Sequence, residues 1–432
     1  MLRQERGWRF YKELRINYAA TYAPRTRHLF PSEPWVSADF FQKRKAPAAF
    51  KHAILSRYPK VFAAKLGSTS RDNQVIFLDG YAGRGRYKDG EPGSPLLLAR
   101  SADGLAGSRQ IRGFFVERDE ENAAALAKVL AESGTAMQYA VIPGDLDDHL
   151  GSVLQQCGGS PLFAFLDPFG TALAYPSLRQ QLLQRRPGVT EVLLHFTASG
   201  VARMGGILRK ARDRPLTGTE EKQVTRVDRF LGGLWWREYF KSESGDVTEE
   251  RATLIAIRIS DRFAQIVREQ TGFRAVTIPI RPRPELLPKY VLALFTRSPE
   301  GLWAFADTLG SASLDWHAAW IAEDEGRRLQ RDGNQGVLDL FSKPDWRFQP
   351  EDHERAGAPG WVSCIELNIR TLLEDGPFRL ADRVVEVYGT VLGVAWGKHV
   401  KRAIKNLHAA GVVENSGIGS HYYRELVVPR QR

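Results

Sequence analysis

Four of the five short apolar runs in the first half of this chain close on an acidic residue or lead directly to one. That repetition constrains the fold more than any other feature. Gln74–Asp79 ends on Asp79, Ile111–Glu117 on Glu117 and Pro161–Asp167 on Asp167, while Gln138–Ile142 leads into Gly144-Asp145. Glu191–Phe196 is the fifth run. Each is rich in β-branched and aromatic residues, and helical stretches separate them, the clearest over Asp119–Ser133. Runs of this kind are buried strands of a parallel sheet. Short right-handed crossovers then give a doubly wound α/β domain. Two later runs, Ala275–Ile280 and Tyr290–Phe295, predict a closing antiparallel pair. The rhythm breaks over about 205–252, which holds Gly232-Gly233-Leu234-Trp235-Trp236 and reads as a helical insertion, before a helix over Thr253–Thr271.

At 432 residues the chain exceeds what one core supports, so two or three domains are expected. The sheet domain is predicted over 46–320, opening with an amphipathic helix whose apolar residues include Phe50, Ile54, Tyr58 and Phe62. Residues 321–360 are charged and rich in Gly and Pro, and read as a linker. Over 361–432 three helices (Val362–Glu374, Leu380–Tyr388, Trp396–Ala410) precede a Gly-rich hairpin over 412–423. That is a winged helix-turn-helix pattern, with Lys398, Lys401, Arg402 and Lys405 on the third helix.

Sixty-one Lys and Arg against fifty Asp and Glu leave a net charge of +11. Residues 1–60 alone carry thirteen cations against four acids. The arm over 1–45, with a short helix at Trp8–Tyr18 and the cluster Lys43, Arg44, Lys45, suits a polyanion such as RNA or DNA, and equally a solvated face. Two cysteines exclude a disulfide framework and a Cys-rich metal or iron–sulfur site, so no metal is expected. No apolar run spans a membrane and no signal peptide opens the chain, so a cytoplasmic location and no membrane partner are expected. No D-x-E-x-K cluster supports a nuclease.

Open α/β sheets bind ligands at the carboxyl ends of their strands. The strongest such end is Asp79-Gly80-Tyr81-Ala82-Gly83-Arg84-Gly85, where glycines let backbone approach a ligand. Glu117 stands where an acid can take both hydroxyls of a ribose, and Asp145 where one can accept from an adenine amine. The separation of Asp79 from Glu117 exceeds the roughly 20 residues of the plain dinucleotide fingerprint, and the excess falls in a loop over 90–107. Asp167-Pro168-Phe169-Gly170 completes the series beside the first strand. Alone, each acid is as readily a helix cap. In series they describe a nucleoside site. Trp235, Trp236, Tyr239 and Phe240 could stack unpaired bases but read mainly as helix core, and His195, at the end of the fifth run, could reach the substrate side but reads more readily as a buried, satisfied histidine.

The D-G-Y-A-G-R-G loop resembles that of class I S-adenosylmethionine-dependent methyltransferases. More closely, the chain resembles the three-Cys-motif partner protein family. Phe50-Lys51-His52-Ala53-Ile54-Leu55-Ser56-Arg57-Tyr58, Phe77–Tyr87, Glu91-Pro92-Gly93-Ser94-Pro95 and Asp167-Pro168-Phe169-Gly170 carry the likeness across roughly 45–310. The resemblance implies a Rossmann-like methyltransferase sheet, a C-terminal winged helix, and a radical-SAM-like partner protein bearing three cysteines. It implies S-adenosyl-L-methionine held by Asp79, Gly80, Tyr81, Ala82, Gly83, Gly85, Glu117, Arg118, Asp145 and Leu146. It places Asp167, Pro168, Phe169, Gly170, Lys51 and His52 at the reacting end, against a base amine of nucleic acid. Adenine-amine methyltransferases present D/N-P-P-Y/F; here Phe169 stands third and Gly170 fourth, so the base-stacking aromatic is missing. Two functions therefore stay open: methyl transfer, and a non-catalytic nucleic-acid- or nucleotide-binding module.

Overall fold

The computed structural model describes residues 46–430 apart from 69, 88, 169–171, 243–247 and 335–347. The arm with Lys43, Arg44 and Lys45 lies outside the described residues, as do Phe169 and Gly170. Contacts divide the chain into two compact units, one of them Ile54–Arg281 with Leu287–Leu302.

The frame of that unit is a seven-stranded sheet: β1 (Gln74–Asp79), β2 (Gln110–Glu117), β3 (Gln138–Pro143), β4 (Leu162–Leu166), β5 (Thr190–Phe196), β6 (Arg274–Ile280) and β7 (Tyr290–Thr296). Its order is β3-β2-β1-β4-β5-β7-β6. The first five strands are parallel, and β7 runs antiparallel between β5 and β6. This is the doubly wound α/β sheet with the closing pair that the sequence predicts. The helices are α1 (Ala46–Gly67), α2 (Ser94–Asp103), α3 (Glu120–Glu132), α4 (Leu146–Cys157), α5 (Ala198–Lys210), α6 (Gly218–Leu231) and α7 (Glu249–Thr271).

Strand side chains alternate between faces, and the register aligns that alternation across the sheet. Ile76, Leu78, Leu162, Ala164, Leu166, Val192 and Leu194 share one large core with α4, α5, α6 and α7. Phe163 points to the other face, where Tyr58 and Phe62 of α1 meet it edge-on or tilted, with centroids under 6 Å apart. Near the start of β5, Glu191 is buried. It accepts from Thr296 Oγ1 at 2.5 Å and lies 2.7 Å from the Tyr58 hydroxyl. Burial raises its carboxyl above the ordinary range.

The insertion is helical because its caps are explicit. Thr217 accepts from the Glu220 amide while Glu220 accepts from the Thr217 amide, and Gly232 at φ +74° ends α6. Trp236 and Phe240 are core, with the Trp236 indole donating to Asp228 at 2.8 Å. One expectation fails nearby. The extra residues between Asp79 and Glu117 are not a loop at 90–107, because α2 occupies 94–103. The excess lies earlier, in 80–93, where Arg86 bridges Pro92 and the Tyr87 amide donates to Glu91 O at 2.9 Å. Ser94-Pro95, inside the expected loop, is a helix start, where Pro lacks only an amide that has no partner anyway.

The second unit is Pro282–Leu286 and Trp303–Arg432, with the chain up to Ala53. Its elements include α8 (Pro299–Asn334), α9 (Pro350–Leu373), β8 (Phe378–Arg379), a short helix Val384–Tyr388, α10 (Gly397–Ala409) and β9 (Leu426–Val427). Within the linker expected over 321–360 the described residues 321–334 and 350–360 are helical, and the helix carrying residue 320 groups with this unit from Trp303 onward. Elsewhere in this unit the Trp303 ring stacks on Tyr423, centroids 5.0 Å apart and planes at 9°. Gly357 likewise makes room for the Trp361 ring, which a Cβ at 357 would strike. Helical segments lie close to the three expected ones, but no hairpin closes within 412–423, and the chain from 412 pairs instead with residues beyond 423. Glu414 N–H donates to Val428 O and Arg430 N–H to Val412 O, both at 3.0 Å. Residues 422–424 form a helical turn instead, which buries Tyr422 and Tyr423.

Candidate functional site

β1 connects to β2 on one side of the sheet while β4 lies on its other side, so the crevice outside β1 and β4 is a topological switch point. The loop after β1 splits across that crevice. Gly80 N–H donates to Phe165 O of β4 at 3.0 Å, and Ala82 N–H to Val116 O of β2 at 2.9 Å. Gly80 also lies against core side chains: a Cβ there would come within 2.7 Å of Leu146 and Leu166. The Leu146 side chain thus packs beneath the loop.

Asp79 is fully buried, and one of its oxygens accepts from the Tyr81 amide at 3.2 Å. Glu117 accepts from Gly83 N–H at 2.7 Å through one oxygen and from Asp119 N–H at 2.9 Å through the other. The acid expected to meet a ribose therefore also braces the glycine loop. A carboxylate has about four acceptor positions, so two remain for a diol. Gly83 adopts φ +63°, and the direction a Cβ would take is open space. At Gly85, φ +79°, a Cβ would meet Leu126 and Val129 of α3, so that glycine serves close packing.

Asp145 precedes α4 with its side chain largely exposed, 4.0 Å from Arg118, also exposed. Beside it Asp147 pairs with Arg229 of the insertion at 2.8 Å. Burial and the charges of Asp147 and Asp145 push the Tyr81 phenol well above its ordinary value.

Leu166 pairs with Leu194 across β4 and β5, so the residues that follow, Asp167 and His195, are neighbours on the face opposite the core. His195 Nδ1 lies 2.9 Å from Asp167 Oδ1, and its ring packs against Tyr290 at 4.3 Å. Pro168 is buried beside them. Asp79, Glu117, Asp167 and His195 all point to that one face by register and alternation. Along one strand His195 is compatible with the substrate side and with a core place; the register between β4 and β5, which one strand does not reveal, sets it beside Asp167.

Lys51 and His52 belong to the part of α1 that groups with the second unit, Lys51 half-exposed and His52 buried. On α10, two of the four expected cations are engaged within that unit. Lys398 pairs with Glu354 and lies over the Trp396 ring, and Lys401 donates to Gly419 O at 2.9 Å. Arg402 and Lys405 are exposed. Among the described residues no group of His, Cys, Asp and Glu could hold a metal, and no helix is long and apolar enough to cross a membrane.

No protein-family model matches this sequence, and no curated protein matches it. Among solved structures the chain is similar to the O-methyltransferase TomG of Streptomyces achromogenes, crystallised with SAM, at 16% identity. That match covers 55% of this chain and 79% of that one, with a TM-score of 0.29. It is also similar to an O-methyltransferase of Bacillus cereus in complex with SAH, at 14% identity, covering 66% and 90% with a TM-score of 0.32.

Proposed function

We propose that this chain binds S-adenosyl-L-methionine at the β1 loop and methylates a base amine of RNA or DNA. One observation carries the reading: a buried carboxylate, Glu117, holds the amide of Gly83 in a left-handed turn at the switch point, with open space over the glycine. The donor set suits the cofactor. Asp79 lies at the base of the loop for a cationic amino group, Glu117 keeps acceptor positions for a ribose diol, and Asp145 stands exposed for an adenine amine. When bound, the cofactor supplies an electrophilic methyl group on a sulfonium.

Everything else is the chain's own work. Gly83 leaves the approach unobstructed, Asp79 and Glu117 orient charge and hydroxyls, and buried Pro168 fixes the backbone that presents Asp167. Asp167 accepts a hydrogen bond from the target amine and aims its lone pair. Positioning and exclusion of water then supply most of the rate, as for any bimolecular step held in line. Three helices and a ribbon over 350–430 form a winged helix that presents Arg402 and Lys405 to phosphates, together with the basic arm. A three-Cys-motif radical-SAM-like protein is the proposed partner, on the sequence resemblance alone. The missing stacking aromatic at position 170 favours a second reading, binding without transfer.

Isothermal titration with S-adenosylmethionine and its demethylated product tests the assignment. Wild type should bind both, and Gly83→Val, which puts a branched Cβ at φ +63°, should weaken binding at least about tenfold, or about 1.4 kcal/mol. Equal affinity of a folded Gly83→Val variant would remove the loop from the site. Transfer of labelled methyl to total RNA or DNA then separates the enzyme from the binding module.

A further inference from the structure

We infer that His195 and Asp167 form a proton-accepting pair, with His195 Nε2 as the acceptor and Asp167 as its orienting carboxylate. The inference deepens the function proposed above and rests on it for the identity of the proton donor. An ionised carboxylate only accepts hydrogen bonds. A lone pair on Nδ1 would be repelled by a carboxylate oxygen 2.9 Å away, so the proton is favoured on Nδ1 and the lone pair on Nε2, although the N–H is not aligned on that oxygen as a hydrogen bond. The pair is built into the frame. Register sets the two residues side by side on β4 and β5, and Tyr290 of β7 packs the ring from the next strand. Both side chains keep partial exposure, 17% for His195 and 24% for Asp167, so the pair is reachable from the crevice.

This arrangement answers a requirement of the chemistry. Methylating an amine forms an N–C bond from the nitrogen lone pair, while the pair of the breaking S–C bond stays on sulfur. The nitrogen then carries a positive charge until a proton leaves. His195 Nε2 takes that proton, the imidazolium is stabilised by Asp167, and water removes the proton afterwards. Asp167 thus acts on the amine and on the base together. A histidine in this role also serves a target hydroxyl, which must lose its proton as it is methylated.

The test needs no substrate. In full-length protein with ¹⁵N-labelled histidine, His195 should appear as the Nδ1–H tautomer at neutral pH, and should revert towards the Nε2–H tautomer in Asp167→Ala. Diethyl pyrocarbonate should modify His195 at Nε2, located by mass spectrometry against His195→Gln, and more slowly in Asp167→Ala. Asp167→Asn, which keeps an acceptor of the same shape, should retain the tautomer and covers the case in which Ala fails to fold. An Nε2–H tautomer in wild type, or a His195 inert to the reagent, overturns the pair and leaves a packing histidine. Titration with S-adenosylmethionine reads the cofactor separately: no binding with the tautomer intact would sink the methyltransferase reading and leave the pair standing.

Discussion

Glu117 is the residue on which the loop turns. Removing its carboxylate leaves the amides of Gly83 and Asp119 without their acceptor. A buried donor left unpaired costs about 1–3 kcal/mol, less where water reaches it. Glu117→Ala should therefore lower stability by about 1–2 kcal/mol and speed hydrogen exchange at both amides, with Glu117→Gln between it and wild type. Unchanged exchange at Gly83 would show that the loop holds its shape without the carboxylate. At this scale much of the site was legible. Asp79, Glu117, Asp145 and Asp167 are visible because strands end where apolar runs end, and the acid falls at that end. His195 was visible as a residue but not as a partner, because its contact depends on how β4 and β5 align.

Among elements, α5 offers an internal control. Gly205 and Gly206 are adjacent in one helix, yet a Cβ at 205 would strike the Phe240 ring while a Cβ at 206 meets nothing within 4 Å. Gly205→Ala should destabilise by about 1–3 kcal/mol through overpacking. Gly206→Ala should stabilise by up to about 1 kcal/mol, since alanine is the better helix former. Chemical denaturation of both variants checks the pair, and equal effects would refute the Phe240 contact. The strand elements and the insertion were readable from periodicity and caps. The segments around Gly90 and Pro359 were misread because Gly and Pro signal breaks locally, whereas Pro95 and Pro350 stand at helix starts and Pro359 lies within α9.

Across the whole molecule, the two units carry buried groups whose titration opposes. In the second unit His317 is neutral, its pKa lowered to about 3 by burial and by His353, whose ring lies 4.1 Å away; burial lowers His353 and His399 as well. The unfolded chain binds protons near 6.5 that the folded unit refuses, so this contribution is lost as pH falls below that value. In the first unit Glu191 titrates above the ordinary carboxylate value of about 4.3. The folded unit holds a proton that the unfolded chain releases, so its contribution is lost as pH rises from there through the raised value. Proton counting agrees. The Tyr58 hydroxyl has one hydrogen for two acceptors, Glu191 and Gly301 O at 3.2 Å, and a protonated Glu191 satisfies both by donating to Tyr58. Calorimetry at falling pH should lower the melting transition of the second unit, with His317→Phe shrinking that shift. Glu191→Gln should flatten the decline of the first unit at rising pH. A shift of the same size in His317→Phe would remove histidine protonation as its cause.

The position of β7 has a consequence for synthesis. The strand that pairs with β5 is made after β6, roughly 95 residues later in the chain. At about 5–20 residues per second, β5 leaves the ribosome about 5–20 seconds before its neighbour exists. During that interval its hydrogen-bonding edge is open, and Glu191 lacks the hydroxyl of Thr296 that it accepts from in the finished sheet. The nascent domain must either be shielded along that edge or reach β7 before another strand finds it.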